Sequence, residues 1–411
     1  MNRDFASLPD RCDVLVVGAG PAGSAAAQWL ARAGRDTVLV DAQAFPRDKV
    51  CGDGLIPDAH RALERLGVLD AVMREARSAT SLTCVAPRGG RIDVPGRLAV
   101  LPRKRLDAIL CEAAVQAGAR MHAPVRFTAP LVEGGRAVGA VLEHDGARRE
   151  VRARHVVLAT GAQPQALIAA GLCERRTPSG IALRGYVVNP AMASRITTLE
   201  VVWHPRLAPG YGWIFPCGDD TFNIGVGVAQ SHREGPDGRH AMKDVNLRDV
   251  FAAFQDLHAN ARDLMHGREI DLKGAPLRCS LEGATLSMPG LLVTGEAAGS
   301  TYAFTGEGIG KAMETALHAA EAILAADAGD AEDAALRAAY AARIDDLRPR
   351  FVLYEQANKA NEKPWLIDLL VWSAKRSPRR VQRMAGVLEE THIPTDAVTW
   401  KGIVRRLVDW R

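Results

Sequence analysis

The first long apolar run is Val14-Leu15-Val16-Val17, and it breaks into Gly18-Ala19-Gly20-Pro21-Ala22-Gly23. Four apolar residues ended by a glycine turn predict a strand buried on both faces. A helix from Pro21 to Ala33 follows, closed by Gly34, and then a second buried strand, Thr37-Val38-Leu39-Val40, with Asp41 at its end. The texture returns at His155-Val156-Val157-Leu158, predicted to lie beside the first strand, and at Leu291-Leu292-Val293, which runs into Thr294-Gly295-Glu296. Between these runs the period shortens. Leu82 to Val100 reads as short strands with turns at Pro87-Arg88-Gly89-Gly90 and Pro95-Gly96, Val125 to Val151 as two or three strands, and Ile181 to Gly227 as a β-sheet region. Helical spacing marks the segments after Ala59 and Arg103, then Leu247 to His258, Ile309 to Ala325, Ala334 to Asp346, Trp365 to Ala374 and Arg379 to Glu390. Ser377 stands where it can cap the last of these, with Pro378 in its first turn. Ser231 to Asn246 reads as a polar loop.

This order predicts an α/β (α+β two-domain) protein. A discontinuous Rossmann-like domain takes residues 10-75, 101-165 and 276-330, and an inserted antiparallel β-sheet domain for substrate takes 76-100 and 166-275. A helical region takes 331-411. In the G-x-G-x-x-G order each glycine has its own role. Gly18 allows the tight turn, Gly20 the close approach of a pyrophosphate, and Gly23 the packing of helix on strand. The helix that starts at Pro21 and Ala22 aims its N–H groups at the phosphates, and Asp41 can accept bonds from the ribose hydroxyls of an adenosine.

Composition narrows the class. The 411 residues are 47% hydrophobic and 24% charged, as in ordinary soluble domains. The seven cysteines are scattered with no C-x-x-C, which argues for a reducing compartment and against disulfide, zinc or iron–sulfur frameworks; no metal site is expected. No signal peptide is visible, and no apolar run approaches the roughly 20 residues that span a bilayer. A cytoplasmic location is expected. From Val371 onward nine Lys and Arg oppose four Asp and Glu, a surplus of five on a chain whose net charge is +4. Solvated helix faces account for this, and so does a patch attracted to anionic lipid or an anionic substrate. Trp365 to Trp372 adjoins the patch and is too short to span, so peripheral membrane contact is one expectation. No nucleic-acid module accompanies the charge.

Two further stretches carry candidate chemistry. Cys51 and Gly52 sit in the loop Pro46-Arg47-Asp48-Lys49-Val50-Cys51-Gly52. Arg47 and Lys49 there can lower the thiol pKa, or the cysteine is a small residue tolerated in a tight loop. In Gly210-Tyr211-Gly212-Trp213-Ile214-Phe215-Pro216 the alternation puts Tyr211, Trp213 and Phe215 on one side of a strand, as core packing or as the wall of an apolar substrate cavity.

Taken together, Gly18 to Gly23, the Cys51 loop, Arg103-x-x-Leu106-Asp107, the Tyr211-x-Trp213-x-Phe215-Pro216 run and Gly295 to Gly310 resemble the geranylgeranyl reductase family of FAD-dependent oxidoreductases, which have the p-hydroxybenzoate hydroxylase-type fold. The resemblance covers nearly the whole chain. It implies that Gly18, Gly20, Gly23 and Asp41 hold the ADP half of FAD, and that Arg103 reaches the ribityl-phosphate side. It implies that Gly295 and Glu296 contact the ribityl and pyrophosphate region. Gly306, Gly308, Ile309 and Gly310 would bring N–H groups to the pyrimidine edge of the ring. Cys51 and Gly52 would border the ring where substrate enters. The implied activity is reduction of C=C bonds in a polyprenyl or polyene-like substrate, with Cys51 as proton donor and NAD(P)H as a transient electron donor. The chain departs from the wider fold at Glu296 and Thr160, where Asp is usual, and from many family members at Ala303, where Pro occurs. A monooxygenase of the same fold is the alternative activity. A halogenase fits less well, because Tyr211 stands in the first Trp position of W-x-W-x-I-P. A flavin-free prenyl-binding protein is the alternative from another class.

Overall fold

In the computed structural model, which describes residues 2–229, 245–328 and 332–392, the strand Arg11–Val17 has no exposed face at its centre: Val14, Leu15 and Val16 are fully buried. It lies between Thr37–Val40 and Ala147–Leu158, parallel to both, with Val14 opposite Thr37 on one side and His155 on the other. Leu291–Val293 extends this sheet in parallel beyond Val156. The first sheet therefore runs Ser287–Met288, Leu291–Val293, Ala147–Leu158, Arg11–Val17, Thr37–Val40, Arg120–His122. Arg126–Glu133 and Arg136–His144 attach antiparallel through Ala147–Leu158, whose 12 residues are long enough to pair with Arg136–His144 before joining the parallel core. The helices Pro21–Arg32 and Ile309–Ala328 pack together through Ala22, Ala25, Ala26, Ala312, Met313 and Ala316.

The second sheet is ordered Arg268–Leu277, Gly180–Val188, Thr221–Ala229, Gly210–Gly218, Leu199–Val202, Arg77–Val85, Arg91–Val100, Gly54–Leu55. All its pairings are antiparallel except Leu199–Val202 with Arg77–Val85. Gly210–Gly218, the strand bearing the three aromatics, is central.

Three local readings change. Pro95-Gly96 is not a turn: both lie inside Arg91–Val100, whose pairing with Arg77–Val85 slips register between Ala79 and Ser81. A bulge accommodates the proline, which has no N–H to give the ladder. The helix expected over Ala334 to Asp346 runs on as Asp333–Ala357, through Pro349. Tyr340, Ile344, Phe351 and Tyr354 are buried along it, so tertiary packing outweighs the local proline penalty. Ser377 is the N-cap of Pro378–Leu388, but its side chain makes no capping bond. Most of the Ser231 to Asn246 loop and the basic residues Lys401, Arg405, Arg406 and Arg411 lie outside the described residues. Among the described residues no helix is long and apolar enough to cross a membrane, and no cluster of three or more His, Cys, Asp or Glu is arranged for a metal. All seven cysteines are free.

Candidate active site

The three glycines of the first turn meet different surroundings. Gly18 has φ +98°, and a Cβ there would overlap the Ala159 carbonyl. A Cβ on Gly23 would overlap the Gly18 carbonyl, so its absence sets the closeness of helix to strand. Gly20 faces space instead: the nearest atoms to a Cβ would be Arg47 Nη2 at 3.4 Å and Arg103 Nη2 at 3.8 Å. Two guanidinium groups thus converge over a bare glycine at the start of Pro21–Arg32. The first helical bond there runs from Ser24 N–H to Gly20 O, 2.9 Å, which leaves earlier N–H groups outside the ladder. Helix start, side-chain cations and missing Cβ together suit a pyrophosphate, so the residues fit FAD. Gly295 closes the cradle from the other glycine stretch; a Cβ on it would come within 2.6 Å of Ala22 Cβ. Glu296 reaches only to Lys49, 4.0 Å away.

Asp41 has partners within the protein. Its carboxylate accepts from Ala19 N–H at 2.8 Å and from Gln43 N–H at 2.9 Å, pinning the glycine turn to the second strand. Carboxylates offer about four acceptor sites, so capacity for hydroxyls remains. Arg47 Nε lies 3.4 Å from Asp41, and its Nη1 lies 3.0 Å from Asp107. Asp107 in turn grips Arg103 with bonds of 2.6 and 2.9 Å. The sequence signals Arg103 but not Arg47 or Asp107 in these roles. The i,i+4 spacing of Arg103 and Asp107 at the start of a helix was the available clue.

The aromatic strand meets the Cys51 turn. Tyr211, Trp213 and Phe215 stand in a row with ring centroids 6.4 and 6.5 Å apart, and Trp203 extends the row 5.7 Å beyond Tyr211. A Cβ on Gly52 would lie 3.3 Å from the Phe215 ring and 3.5 Å from Trp213 Nε1. Gly225 makes room for the Trp213 ring, which any Cβ there would overlap. Trp213 is 6% exposed and belongs to the core, whereas Tyr211 and Phe215 are half-buried.

Asn223 organises this junction. Its Nδ2 donates to the Cys51 carbonyl and to Asp53 Oδ2, each at 2.8 Å, and its Oδ1 accepts from Trp213 Nε1 at 2.8 Å. Asp53, fully buried with φ +64°, also accepts from Tyr186 OH at 2.5 Å and from Arg103 N–H at 3.2 Å. Burial pushes its pKa up to about 6. Of the two readings of Cys51, a net lowering of the thiol pKa by its basic neighbours does not agree with its surroundings. Burial pushes the thiol pKa up, and Asp53 adds to that against the pull of Arg103 and Lys49. Arg47 is occupied by Asp41 and Asp107. Cys51 is therefore a protonated thiol at neutral pH.

At the far end of the row, Tyr211 OH donates to the Thr305 carbonyl at 2.5 Å, and a Cβ on Gly306 would lie 2.8 Å from that hydroxyl. Neighbouring side chains explain the next two glycines. A Cβ on Gly308 would lie 2.6 Å from Thr301 Oγ1, and one on Gly310 would overlap Asp58 Oδ2. Ile309 begins the helix, whose first bond runs from Ala312 N–H to Gly308 O at 2.9 Å. Beneath lies a charge cluster that the sequence did not signal. Lys311, 2% exposed, holds Glu314 at 2.6 Å and Glu390 at 2.8 Å, with Asp58 at 4.0 Å. Burial pushes Asp58 up to about 7 and holds Glu307 well above the carboxylate range.

The FAD binding domain family profile matches residues 11–345. A menaquinone reductase of Mycolicibacterium smegmatis is 35% identical over 322 residues, 76% of each chain. A digeranylgeranylglycerophospholipid reductase of Methanopyrus kandleri is 32% identical over 301 residues, 72% of this chain and 73% of the other. Among solved structures, a geranylgeranyl bacteriochlorophyll reductase-like protein of Thermoplasma acidophilum superposes with a TM-score of 0.70 at 22% identity, covering 96% of this chain and 95% of the other. The flavin-dependent brominase Bmp2 superposes at 0.74 with 18% identity, covering 97% and 98%. Both structures share the fold. With the profile spanning both glycine stretches, Gly18 to Gly23 and Gly295 to Gly310, the chain belongs to the FAD binding domain family and, within it, to the geranylgeranyl reductase-like FAD-dependent oxidoreductases.

Proposed function

We propose that this oxidoreductase reduces an isolated C=C bond in a polyprenyl chain, with Cys51 as the proton donor. The observation that carries the reading is the Cys51–Gly52 turn: Cys51 keeps a protonated thiol, Gly52 packs beside the Trp213 and Phe215 rings, and Asn223 ties the Cys51 carbonyl to the aromatic strand. Bound FAD, in its reduced form, supplies the hydride. Gly18, Gly20, Pro21, Ala22, Gly23 and Asp41 would hold its ADP half, and Arg47 and Arg103 would supply positive charge for its phosphates. Gly295, Glu296, Gly306, Gly308, Ile309 and Gly310 serve the flavin side. An isolated alkene has no carbonyl to polarise, so the second carbon must be protonated within the pocket. Cys51 gives that carbon its proton and regains one from solvent afterwards. Tyr211 and Phe215 present apolar ring surface to the chain, and the buried Trp213 packs between them. NAD(P)H fits as electron donor in a transient encounter, because one dinucleotide turn is present.

The names of the relatives support the substrate class. A menaquinone and a digeranylgeranylglycerophospholipid have different head groups, and what they share is a polyprenyl chain with isolated double bonds. The higher identity to the menaquinone reductase, 35% against 32%, favours a prenylated quinone. The test is incubation of the dithionite-reduced holoprotein with menaquinone or a geranylgeranyl lipid, once anaerobically and once under air, followed by mass spectrometry. The expected product gains two hydrogens in the chain. A product that instead incorporates oxygen, formed only under air, assigns the protein to the monooxygenases.

A further inference from the structure

The helix Trp365–Ala374 has two apolar faces. Leu366, Ile367 and Val371 point inward, into the cluster that contains Trp203 and Trp213. The inner face is fixed: Asp368 accepts from Arg88 N–H at 3.0 Å, and Val371 lies where a Cβ on Gly90 would meet it at 3.1 Å. The outer face carries Trp365, Leu369 and Trp372, exposed by 53%, 44% and 52%. Their spacing of four and three residues aligns them along one stripe. Only six large apolar side chains are exposed among the described residues, so half of them fall on this stripe. Single exposed apolar residues need no explanation, but a clustered stripe on an anchored helix does.

The stripe ends in positive charge. The Arg376 guanidinium lies 3.9 Å from the Trp372 ring centroid, one further turn along the same line. Lys375, Arg376, Arg379 and Arg383 are exposed, and the stretch 375–383 holds five cations and no acid. Lys363 is exposed just before the helix. Tryptophan and leucine rimmed by arginine and lysine match the interface of an anionic bilayer, with apolar rings among the acyl chains and cations at the phosphates. A protein partner burying this stripe would need an acidic rim to match the five cations; an anionic bilayer supplies that charge everywhere.

We propose that Trp365, Leu369 and Trp372, with the cations of 375–383, form a docking face for an anionic membrane surface. The inference rests on this surface and not on which bond is reduced. If both hold, the lipid lies one helix, roughly 10–12 Å, from the aromatic row.

The test is co-sedimentation of the full-length, FAD-loaded protein with vesicles of phosphatidylcholine alone or mixed with phosphatidylglycerol. Binding to the mixed vesicles is expected, weakening as salt rises and the Debye length falls from about 10 Å at 0.1 M to about 3 Å at 1 M. The triple variant Trp365→Ser, Leu369→Ser, Trp372→Ser should bind at least about tenfold less, while retaining its FAD as proof of folding. Arg379→Gln with Arg383→Gln should remove part of the salt-sensitive binding. Equal binding by the triple variant, or no binding by the wild type, overturns the proposal. So does a concentration-dependent dimer that the triple variant abolishes, which would assign the stripe to a second copy of the chain.

Discussion

Asn223 holds the Cys51 carbonyl at 2.8 Å while its own carbonyl receives the Trp213 indole N–H. One amide thus fixes the distance between the thiol turn and the aromatic strand. Asn223→Ala would leave Trp213 Nε1 and the Cys51 carbonyl without this partner in a buried place. An unsatisfied buried group costs about 1–3 kcal/mol, so denaturant unfolding should show a loss of that order. Turnover should fall with FAD content retained. Unchanged stability and turnover would mean that the bridge positions nothing.

The cradle prediction turns on Gly20. A branched side chain there would point at Arg47 and Arg103, into the space that the phosphates need. Gly20→Val should abolish FAD binding, and Asp41→Ala should weaken it by about 1–3 kcal/mol through loss of charged hydrogen bonds and of the turn they pin. Flavin absorbance of the purified variants reads both effects. Full occupancy in Gly20→Val would remove this turn as the dinucleotide site.

Cys51 is held protonated by burial first, and then by the negative charge of Asp53 against the cation of Arg103. Removing the acid removes a cause that raises the thiol pKa. Asp53→Asn should therefore shift the pH midpoint of iodoacetamide labelling, followed on the Cys51 peptide, to lower pH. Arg103→Gln should shift it to higher pH. A midpoint indifferent to both changes would show that neither charge reaches the thiol.

Asp58 gives a stability prediction with a definite sign. Its folded pKa, about 7, lies above the ordinary carboxylate value because burial disfavours the charge. The folded state then binds the proton more tightly than the unfolded chain. Its contribution is most favourable below about pH 4 and is lost as pH rises through about 7. Asp58→Asn removes that loss. Relative to wild type the variant should gain at least about 1 kcal/mol between pH 5 and pH 8 in urea unfolding. A difference independent of pH would contradict the assignment.

Much of the parallel sheet was legible, because buried parallel strands read as apolar runs and glycines mark their ends. Gly23 shows why: the carbonyl of Gly18, five residues earlier, leaves no room for a Cβ, and only local sequence is needed to see it. The row of Tyr211, Trp213 and Phe215 was legible from alternation alone. The joints between distant segments were not. Asn223 reads as one polar residue in a strand, yet it joins Cys51, Asp53 and Trp213. Lys311 and Glu390 are far apart in sequence and meet through folding of the C-terminal helices. The proline-containing Asp333–Ala357 helix and the bulge at Pro95 escape local reading for the same reason, since packing settles what local propensity opposes. The pKa of Cys51 escapes it because its loop is rich in cations while its folded surroundings are dominated by burial.

The central claim is that Cys51 delivers the proton. Its most direct test is single-turnover reduction of a polyprenyl substrate by dithionite-reduced Cys51→Ala, compared with wild type at equal flavin content. The expected result is an unchanged flavin spectrum with product formation slowed at least tenfold, about 1.4 kcal/mol in barrier. Product formation at the wild-type rate would make the cysteine a small residue in a tight turn and would contradict the claim.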